Sequence, residues 1–210
     1  MRGRQLLATL SAAVLLPLGA ASPALASTAA EACAGAFQGD GRLGPETLPK
    51  VAEHPVGRLV AGYQRFGRLG AADFLAKYWD TAAGGWKYPP ADGFLLRPDG
   101  TAVKKVHRLL PGYQLDRFGN EGGQVLSPTG AHYSKRSLPP QGLLTPDAGP
   151  RCDYHRYRVA KEFHVWQGTI APWFEQGGRG SRVKLDRQLL PGPGNLTVAW
   201  LVDNGFLTRV

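Results

Sequence analysis

The apolar residues in the second half of the chain come in short runs that are separated by turn signals. From Trp86 onward, segments rich in proline and glycine at 88–93, 97–100 and 127–130 divide these runs, as they do between strands. Residues 157–166 alternate apolar and polar positions, and a period of two indicates a half-buried strand. The pattern predicts a small antiparallel sheet with long loops, twisted as sheets normally are.

Helical spacing occurs before this region. Pro55 can occupy the first position of a helix. The residues after it that share one helical face are Val56, Leu59, Val60 and Tyr63. The apolar stripe of a second short helix, predicted over 71–79, consists of Phe74, Leu75 and Tyr78. The spacing favours core packing for both faces.

A third helix is predicted near the C-terminus. Asn195 is suited to cap a helix that runs through Trp200 and Val202. The Asn-Gly pair at 204–205 would end it, and a last strand would follow over 206–210. The fold class is therefore predicted to be α+β: a small twisted antiparallel sheet with peripheral helices and long loops, preceded by a short helical N-terminal segment.

The N-terminus has the three-part layout of a secretory signal peptide. Arg2 and Arg4 precede an apolar run over 6–18, and small residues end in Ala-Leu-Ala at 24–26. We expect cleavage after Ala26 and a secreted mature protein that does not enter a membrane; an uncleaved anchor is the alternative. The predicted division of the chain is 1–26 signal peptide, 27–85 N-terminal tether and helical segment, and 86–210 a domain that contains the predicted sheet.

Charge and cysteine content narrow the picture further. The chain has 25 Lys and Arg against 16 Asp and Glu, and this excess draws anionic partners such as nucleotides, nucleic acid or cell-surface polymers. Cys33 and Cys152 are the two cysteines, and an even count in an exported chain favours a disulfide. Such a bridge would stabilise the fold by about 4 to 5 kcal/mol in the chain-entropy model. Two separate thiols are the alternative.

Generic catalytic motifs are missing from the sequence. It contains no phosphate-binding glycine loop after a strand, no cysteine or histidine pair at zinc spacing and no serine elbow, so no metal is predicted. Arginines and aromatic residues in glycine-punctuated loops remain: Tyr113, Arg117, Phe118, Tyr133, Arg136, Trp173, Phe174 and Arg182. Arginine binds phosphate oxygens and aromatic rings stack on flat heterocycles. A dinucleotide offers both kinds of group.

Several ordered segments resemble the tuberculosis necrotizing toxin family. They are 88–94 (YPPADGF), 110–119 (LPGYQLDRFG), 136–140 (RSLPP), 168–174 (GTIAPWF) and 201–207 (LVDNGFL), with Tyr154, Tyr157 and Val159 matching a further strand. Together they cover about residues 86–210, which the resemblance identifies as the catalytic domain. The resemblance implies a toxin that cleaves NAD⁺ into nicotinamide and ADP-ribose. NAD⁺ would be the substrate, no separate cofactor is implied, and an immunity protein is a candidate partner.

The resemblance also implies roles for individual residues. Arg117 and Arg136 would hold the diphosphate or its neighbouring ribose, and Phe118 would stack against the nicotinamide end. Tyr113, Tyr133 and Trp173 are further candidates for substrate binding. His155 lies near the position of a family active-site histidine, and a satisfied, non-catalytic histidine is the alternative reading.

The sequence departs from the family in the glycine-rich loop. The family ends this loop with a glutamine beside the ribose whose bond is broken, whereas residues 173–182 (WFEQGGRGSR) end with Arg182. A guanidinium has only donors and stays charged. Arg182 could reach the diphosphate while Glu121 or Glu175 stabilises the ribose charge. It could also direct the reaction to cyclic ADP-ribose, or mark an inactive relative.

Two rival functions are compatible with the sequence. A secreted basic ribonuclease could use His155, Arg117 and Glu121 on RNA phosphates. A non-catalytic protein could bind NAD⁺ or a surface polymer without reaction. We expect NAD⁺ cleavage and no nucleic-acid partner.

Overall fold

The computed structural model describes residues 31–192 and 194–210. The predicted signal peptide lies outside the described residues. Two α-helices are present in the described part: α1 (Ala71–Tyr78) and α2 (Val198–Asp203). The strands are β1 (Trp79–Asp80), β2 (Gly85–Trp86), β3 (Lys104–Leu109), β4 (Gln114–Phe118), β5 (Val125–Pro128), β6 (Tyr154–Val159), β7 (Phe163–Thr169), β8 (Ser181–Lys184) and β9 (Leu207–Arg209). Long loops and short 3₁₀ turns connect them.

Seven strands form one antiparallel sheet in the order β3-β7-β8-β5-β4-β6-β9. β1 and β2 form a separate two-stranded ladder. The two helices lie outside the sheet, and α2 contributes Val198 and Leu201 to the main core. The predicted α+β class, with an antiparallel sheet and peripheral helices, is confirmed.

The sheet turns a corner at two neighbouring connections. Residues 110–113 join β3 to β4, and residues 160–162 join β6 to β7. Since β3 pairs with β7 and β4 pairs with β6, both connections pass from one ladder to the other at the same corner. The amide of Gly112 donates to the carbonyl of Val159 at 2.8 Å and holds the corner together.

β5 changes partner halfway along its length. Its first half pairs with β8, with Val125 opposite Lys184. Its second half pairs with β4, with Ser127 opposite Asp116. β4 and β8 therefore diverge on either side of β5. The candidate site lies in the gap that this divergence opens.

Three groups of buried apolar side chains hold these elements. The main core packs between the sheet and α2: Leu109, Leu115, Leu126, Tyr157, Val159, Phe163, Val165, Val183, Leu185, Leu196, Val198, Leu201 and Leu207. The second joins the N-terminal segment to β4 and β6: Cys33, Val56, Leu59, Val60, Tyr63, Phe118, Tyr133, Leu143, Cys152 and Tyr154. The third, formed by Phe74, Tyr78 and Phe174, attaches α1 to the glycine-rich loop.

The predicted disulfide between Cys33 and Cys152 is confirmed. Their Cα atoms lie 5.0 Å apart, within the usual range for a bridge, and both residues are buried. The carbonyl of Cys33 also accepts from the amide of Thr145 at 2.8 Å. The bridge pins the start of the described chain beside the segment that leads into β6.

The local predictions had mixed outcomes. α1 confirms the helix predicted over 71–79. The helix predicted after Pro55 is wrong: the segment forms successive turns, with Leu59 N bonded to Val56 O and Tyr63 N to Val60 O, three residues back. Gly57 and Gly62 each lower helix propensity by about 1 kcal/mol. The apolar face that the spacing identified is nevertheless buried.

Two boundaries also differ from the prediction. The alternating segment 157–166 is divided between β6 and β7, because the corner at 160–162 interrupts it. α2 is capped by Thr197 and not by Asn195: the Thr197 hydroxyl accepts from the amide of Trp200 at 3.1 Å. The predicted stop at Asn204 and the final strand are confirmed. No helix among residues 31–192 and 194–210 is long and apolar enough to cross a membrane.

Candidate active site

A cavity of about 870 Å³ occupies the gap between β4 and β8. Its floor is formed by β4, β5 and β8, and its walls by loop residues that precede β3, follow β4 and precede β6. The charged residues that line it are Asp92, Asp116, Arg117, Arg136, Asp153, Arg182 and Lys184. The cavity is large enough for a ligand of drug size or more.

Arg117 projects from β4 towards this gap. Its Nε donates to the carbonyl of Asn120 and its Nη1 to the carbonyl of Val125, both at 2.6 Å. A Cβ atom at Gly123 would lie 2.1 Å from Nη2 of Arg117, so a larger residue at that position would displace the guanidinium. Through its bond to Val125, Arg117 connects β4 to β5 where the backbone ladder between the two strands has ended. Both of its hydrogen-bond acceptors are neutral carbonyls.

Arg182 enters the cavity from β8. Its Nη1 donates to the carbonyl of Asp92 at 2.8 Å, and its Nε has no hydrogen-bond partner in the described part of the chain. A Cβ at Gly93 would lie 2.9 Å from the Cζ of Arg182. This guanidinium therefore also packs against a glycine. Only 9% of Arg182 is exposed.

Both guanidinium groups are buried, which makes their positive charge less favourable than in water. Burial lowers the pKa of Arg117 and of Arg182. The charges of Asp153 and Glu121 near Arg117, and of Asp92 near Arg182, oppose this shift, whereas the charge of Arg117 lowers the pKa of Arg182 further. Arginine stays protonated even so. Neither side chain forms an ion pair with a carboxylate among the described residues. An anion that entered the cavity would relieve this unfavourable charge.

Arg136 also lines the cavity, but its charge is already neutralised. Its Nη1 and Nη2 donate to the two carboxylate oxygens of Asp116 at 2.5 and 2.9 Å. Both residues are almost fully buried. Tyr154 donates its hydroxyl to the same carboxylate at 2.8 Å, and the carbonyl of Ala131 accepts from Arg136. Arg136 is therefore a structural element of the cavity wall.

Phe118 is held by the second core. Its ring lies edge-on to Tyr133 and tilted against Tyr154, with centroid distances of 4.9 and 4.8 Å. The guanidinium of Arg136 lies 5.1 Å from the ring centroid. Phe118 lines the cavity, yet only 4% of the residue is exposed. It offers a ligand little ring surface.

Three predicted substrate-binding aromatics do not line the cavity. Tyr133 is fully buried and donates its hydroxyl to the carbonyl of Pro139 at 2.6 Å. Tyr113 packs against the main core beside the ring of His107. Trp173 donates its indole N–H to the carbonyl of Lys87 at 2.7 Å. Their positions support the cavity walls and the sheet corner.

Glu121 and His155 meet outside the cavity. The Glu121 carboxylate accepts from Arg209 of β9 and from the Tyr157 hydroxyl. Arg209 and Tyr157 thereby hold the pKa of Glu121 below its usual range. His155 stacks on Tyr157 and bonds through Nε2 to Asp153 at 2.9 Å. This network joins the last strand to the loop that carries the Asn120 carbonyl.

Glu175 is likewise engaged elsewhere. Its Oε1 accepts from Lys77 at 2.6 Å and from the Tyr78 hydroxyl at 2.8 Å. These contacts tie the glycine-rich loop to α1, and the residue does not line the cavity. The loop is thus fixed by α1, while its last residue, Arg182, reaches the cavity.

Sequence reasoning missed Asp92, Gln124 and Lys184, which line the cavity. Asp92 lies in the conspicuous segment 88–94, and Lys184 follows Arg182 by two residues on a strand. Alternate residues of a strand share a face, so Lys184 could have been found from Arg182. Within the described ranges, no three His, Cys, Asp or Glu side chains are grouped to hold a metal ion.

Three comparisons with known proteins identify a matching family, a relative and a similar fold. A family model described as tuberculosis necrotizing toxin matches residues 108–210. The conidial surface nicotinamide adenine dinucleotide glycohydrolase nadA of Aspergillus fumigatus is 42% identical over 174 residues, covering 82% of this chain and 70% of the relative. A solved structure of tuberculosis necrotizing toxin with its immunity factor matches with a TM-score of 0.56 at 21% identity, over 73% of this chain and 81% of that chain.

Proposed function

The chain belongs to the tuberculosis necrotizing toxin family, and from this we propose that it is a secreted NAD⁺ glycohydrolase. It cleaves the bond between nicotinamide and ribose and releases nicotinamide and ADP-ribose. The name of the Aspergillus relative supports this reaction and a location at the cell surface. The predicted signal peptide supports export.

The observation that carries the proposal is the pair of guanidinium groups in the cavity. Arg117 and Arg182 donate to backbone carbonyls and to no carboxylate of the described chain. Arginine is the side chain best suited to bind phosphate oxygens. The diphosphate of NAD⁺ supplies the missing negative charge, so Arg117 holds it and Arg182 contacts it from the opposite strand.

The bond cleavage itself needs little acid or base. When the glycosidic bond breaks, its electron pair goes to the pyridinium nitrogen, and nicotinamide leaves as a neutral molecule. The ribose carbon becomes positively charged until a water oxygen bonds to it and loses a proton. Positioning and charge stabilisation therefore dominate the rate. A site without a catalytic triad is sufficient for this chemistry.

The positive ribose requires a nearby carboxylate or carbonyl dipole. Glu121, His155 and Glu175 are engaged outside the cavity, so they act through the loops that they hold. Asp116 is neutralised by Arg136. Asp92 and Asp153 are the remaining carboxylates that line the cavity. We assign ribose stabilisation to one of these two.

Hydrolysis is the main outcome that we propose, and cyclisation is a second candidate. The buried guanidinium of Arg182 stands where the family has a neutral glutamine. Because Arg117 and Arg182 grip the diphosphate from opposite sides, they could bend the dinucleotide. Its adenine could then capture the ribosyl carbon in place of water, if water is kept away.

Product analysis tests the proposal. Purified mature protein is incubated with NAD⁺ and, separately, with RNA, and the products are identified by mass spectrometry. We expect nicotinamide with linear ADP-ribose, and intact RNA. Shortened RNA would favour a ribonuclease, whereas binding of NAD⁺ without release of nicotinamide would indicate an inactive relative. Purification of the secreted protein with its native partners tests for an immunity protein.

A further inference from the structure

The disulfide between Cys33 and Cys152 ends beside the cavity. Cys152 is followed directly by Asp153, which lines the cavity and is one of the two candidates for stabilising the positive ribose. Cys33 belongs to the N-terminal segment, 119 residues earlier in the sequence. The bridge therefore attaches a distant segment of the chain to the neighbour of a carboxylate in the site.

The backbone at both ends of the bridge has an unusual conformation. Cys152 and Asp153 are both in the left-handed region, with φ of 59° and 45°, and Cys33 has a φ of 68°. Residues other than glycine rarely adopt such angles unless the surrounding structure enforces them. The covalent bond between the two sulfur atoms is one such restraint. Without it, the backbone at Cys152 and Asp153 is freer to relax to ordinary angles.

Hydrogen bonds between the N-terminal segment and the segment that precedes β6 depend on the same bridge. The carbonyl of Cys33 accepts from the amide of Thr145 at 2.8 Å, and the carbonyl of Ala32 accepts from Nε of Arg151 at 3.2 Å. The hydroxyl of Thr145 in turn accepts from the amide of Cys152 at 2.9 Å. Since the bridge keeps these groups within reach of one another, its loss would weaken these contacts together.

Two contacts carry a movement of Asp153 into the site. Its carbonyl accepts from the amide of Gly119 at 2.9 Å, and Gly119 begins the loop whose Asn120 carbonyl holds Nε of Arg117. Its carboxylate is hydrogen-bonded to Nε2 of His155 at 2.9 Å. A changed backbone at Asp153 would therefore displace both a carboxylate of the cavity and the loop that orients Arg117.

The sheet and its main core are built without the bridge. The main core contains neither cysteine, and backbone ladders join all neighbouring strands of the seven-stranded sheet. A chain with two free thiols can therefore keep its sheet while the backbone beside the cavity changes.

We propose that formation of the bridge between Cys33 and Cys152 activates the site, and that the reduced chain is folded but poorly active. The inference rests on the proposed function, because activity here means NAD⁺ cleavage. Reducing conditions inside a cell keep thiols free, whereas a disulfide persists after export. The NAD⁺ of the producing cell is thereby protected until the enzyme has left the cytoplasm.

The activating step is a thiol–disulfide exchange with a small disulfide as the oxidant. The thiolate of one cysteine attacks the oxidant and releases one thiol, and the second cysteine then attacks the mixed disulfide and releases the other. One S–S bond forms in the protein and one breaks in the oxidant. The two electrons and two protons of the protein thiols pass to the two released thiols.

Oxidised and reduced forms of the mature protein are compared directly. Reduction uses dithiothreitol in mild urea, since both cysteines are buried, and the urea is removed before the assay. Alkylation followed by mass spectrometry counts the free thiols. We expect reduction to lower kcat for nicotinamide release by about 100-fold, as for the displacement of a reacting group by about 1 Å. Glutathione disulfide should restore both the bridge and the rate.

Variants without the bridge test whether backbone conformation is the cause. In Cys33→Ala/Cys152→Gly, position 152 adopts the left-handed region freely, whereas in Cys33→Ala/Cys152→Val it does so only with strain. We expect the glycine variant to be more active, although valine fills the buried space better. The opposite order would overturn the inference that the bridge acts through the backbone.

Glu53→Gln is the matched control in the same part of the chain. It removes the exposed ion pair between Glu53 and Arg151 and keeps the bridge. It should leave kcat unchanged, which would show that a weaker contact of the N-terminal segment is not sufficient to lower the rate.

Two further measurements separate this inference from the proposed function. Thermal unfolding shows whether the reduced protein is folded at the assay temperature, and hydrogen exchange of the peptide that contains Gly119 reports on the loop without any turnover. Faster exchange after reduction would support the coupling even if neither form releases nicotinamide, in which case only the proposed function fails. Equal and measurable kcat in the two folded forms, equal exchange, or an unfolded reduced chain would overturn the inference.

Discussion

Arginines in two parts of the cavity lining differ in what balances their charge. In one part, Arg136 forms a two-pronged ion pair with Asp116, and Tyr154 adds a third bond to the carboxylate. In the other part, Arg117 and Arg182 donate only to backbone carbonyls. A guanidinium paired with a buried carboxylate belongs to the fold, whereas one held by carbonyls keeps its charge for a ligand.

The largest effect should come from breaking the buried ion pair between Arg136 and Asp116. Asp116→Ala would leave Arg136 buried without its counter-charge. Such a change costs about 3 to 5 kcal/mol, and we expect that decrease in the free energy of unfolding, measured with urea.

The matched control is Arg108→Ala, which removes an exposed ion pair with Glu162 and should cost at most about 1 kcal/mol. Replacing both partners, with Asp116→Leu and Arg136→Met, should recover part of the lost stability. Equal losses in Asp116→Ala and Arg108→Ala would show that the buried pair has no special weight.

The next effect concerns the arginines that donate only to carbonyls. Arg117→Ala should lower kcat/KM for nicotinamide release by about 100-fold, as for loss of a single charge-stabilising donor in other enzymes. Its loss of stability should be smaller than that of Asp116→Ala, because no carboxylate is left unpaired. Unchanged turnover in a steady-state assay would mean that Arg117 does not hold the substrate.

Arg182→Gln is expected to have a smaller effect on rate and a distinct effect on products. Loss of one charge-assisted contact should raise KM for NAD⁺ by about tenfold. Restoring the amide that the family carries should shift the product ratio towards linear ADP-ribose, measured by mass spectrometry. An unaltered ratio would count against a role for Arg182 in the choice of product.

The smallest effect should come from the network that supports the loop after β4. Since Arg209 and Tyr157 lower the pKa of folded Glu121, their contribution to stability is complete above the usual glutamate range. It is lost as the pH falls through the lowered pKa. We expect at most about 1 kcal/mol in acid titrations of urea unfolding.

Arg209→Ala should flatten this dependence, and Arg156→Ala on the neighbouring strand should leave it intact. The same acid dependence in wild type and Arg209→Ala would contradict the assigned ion pair.

Local patterns in the sequence had mixed success. Turn residues predicted a sheet and spacing predicted α1, but spacing also predicted a helix after Pro55 that does not form, and alternation predicted one strand where β6 and β7 are separate. The bridge between Cys33 and Cys152 was predictable because the chain has only two cysteines. Contacts between side chains from distant segments could not be predicted from the sequence. The sequence does not say that Asp116 would neutralise Arg136, or that Arg209 would occupy Glu121, because these partners come from distant segments.

The same limit applies to the aromatic candidates. The sequence pattern of Tyr133 and Trp173 fits rings that stack on a ligand, yet their polar groups donate to backbone carbonyls. A ring that packs a wall and a ring that stacks on a substrate have the same sequence pattern. Only the position of the cavity separates the two.

The width of the cavity depends on strand register, because β5 pairs first with β8 and then with β4. Each neighbour of β5 receives half of its backbone bonds, so the gap cannot close while that pairing persists. A slip by one residue would turn Arg117 or Arg182 to the opposite face. Lengthening a rim loop would change which molecules can enter, but the space between the two strands would remain.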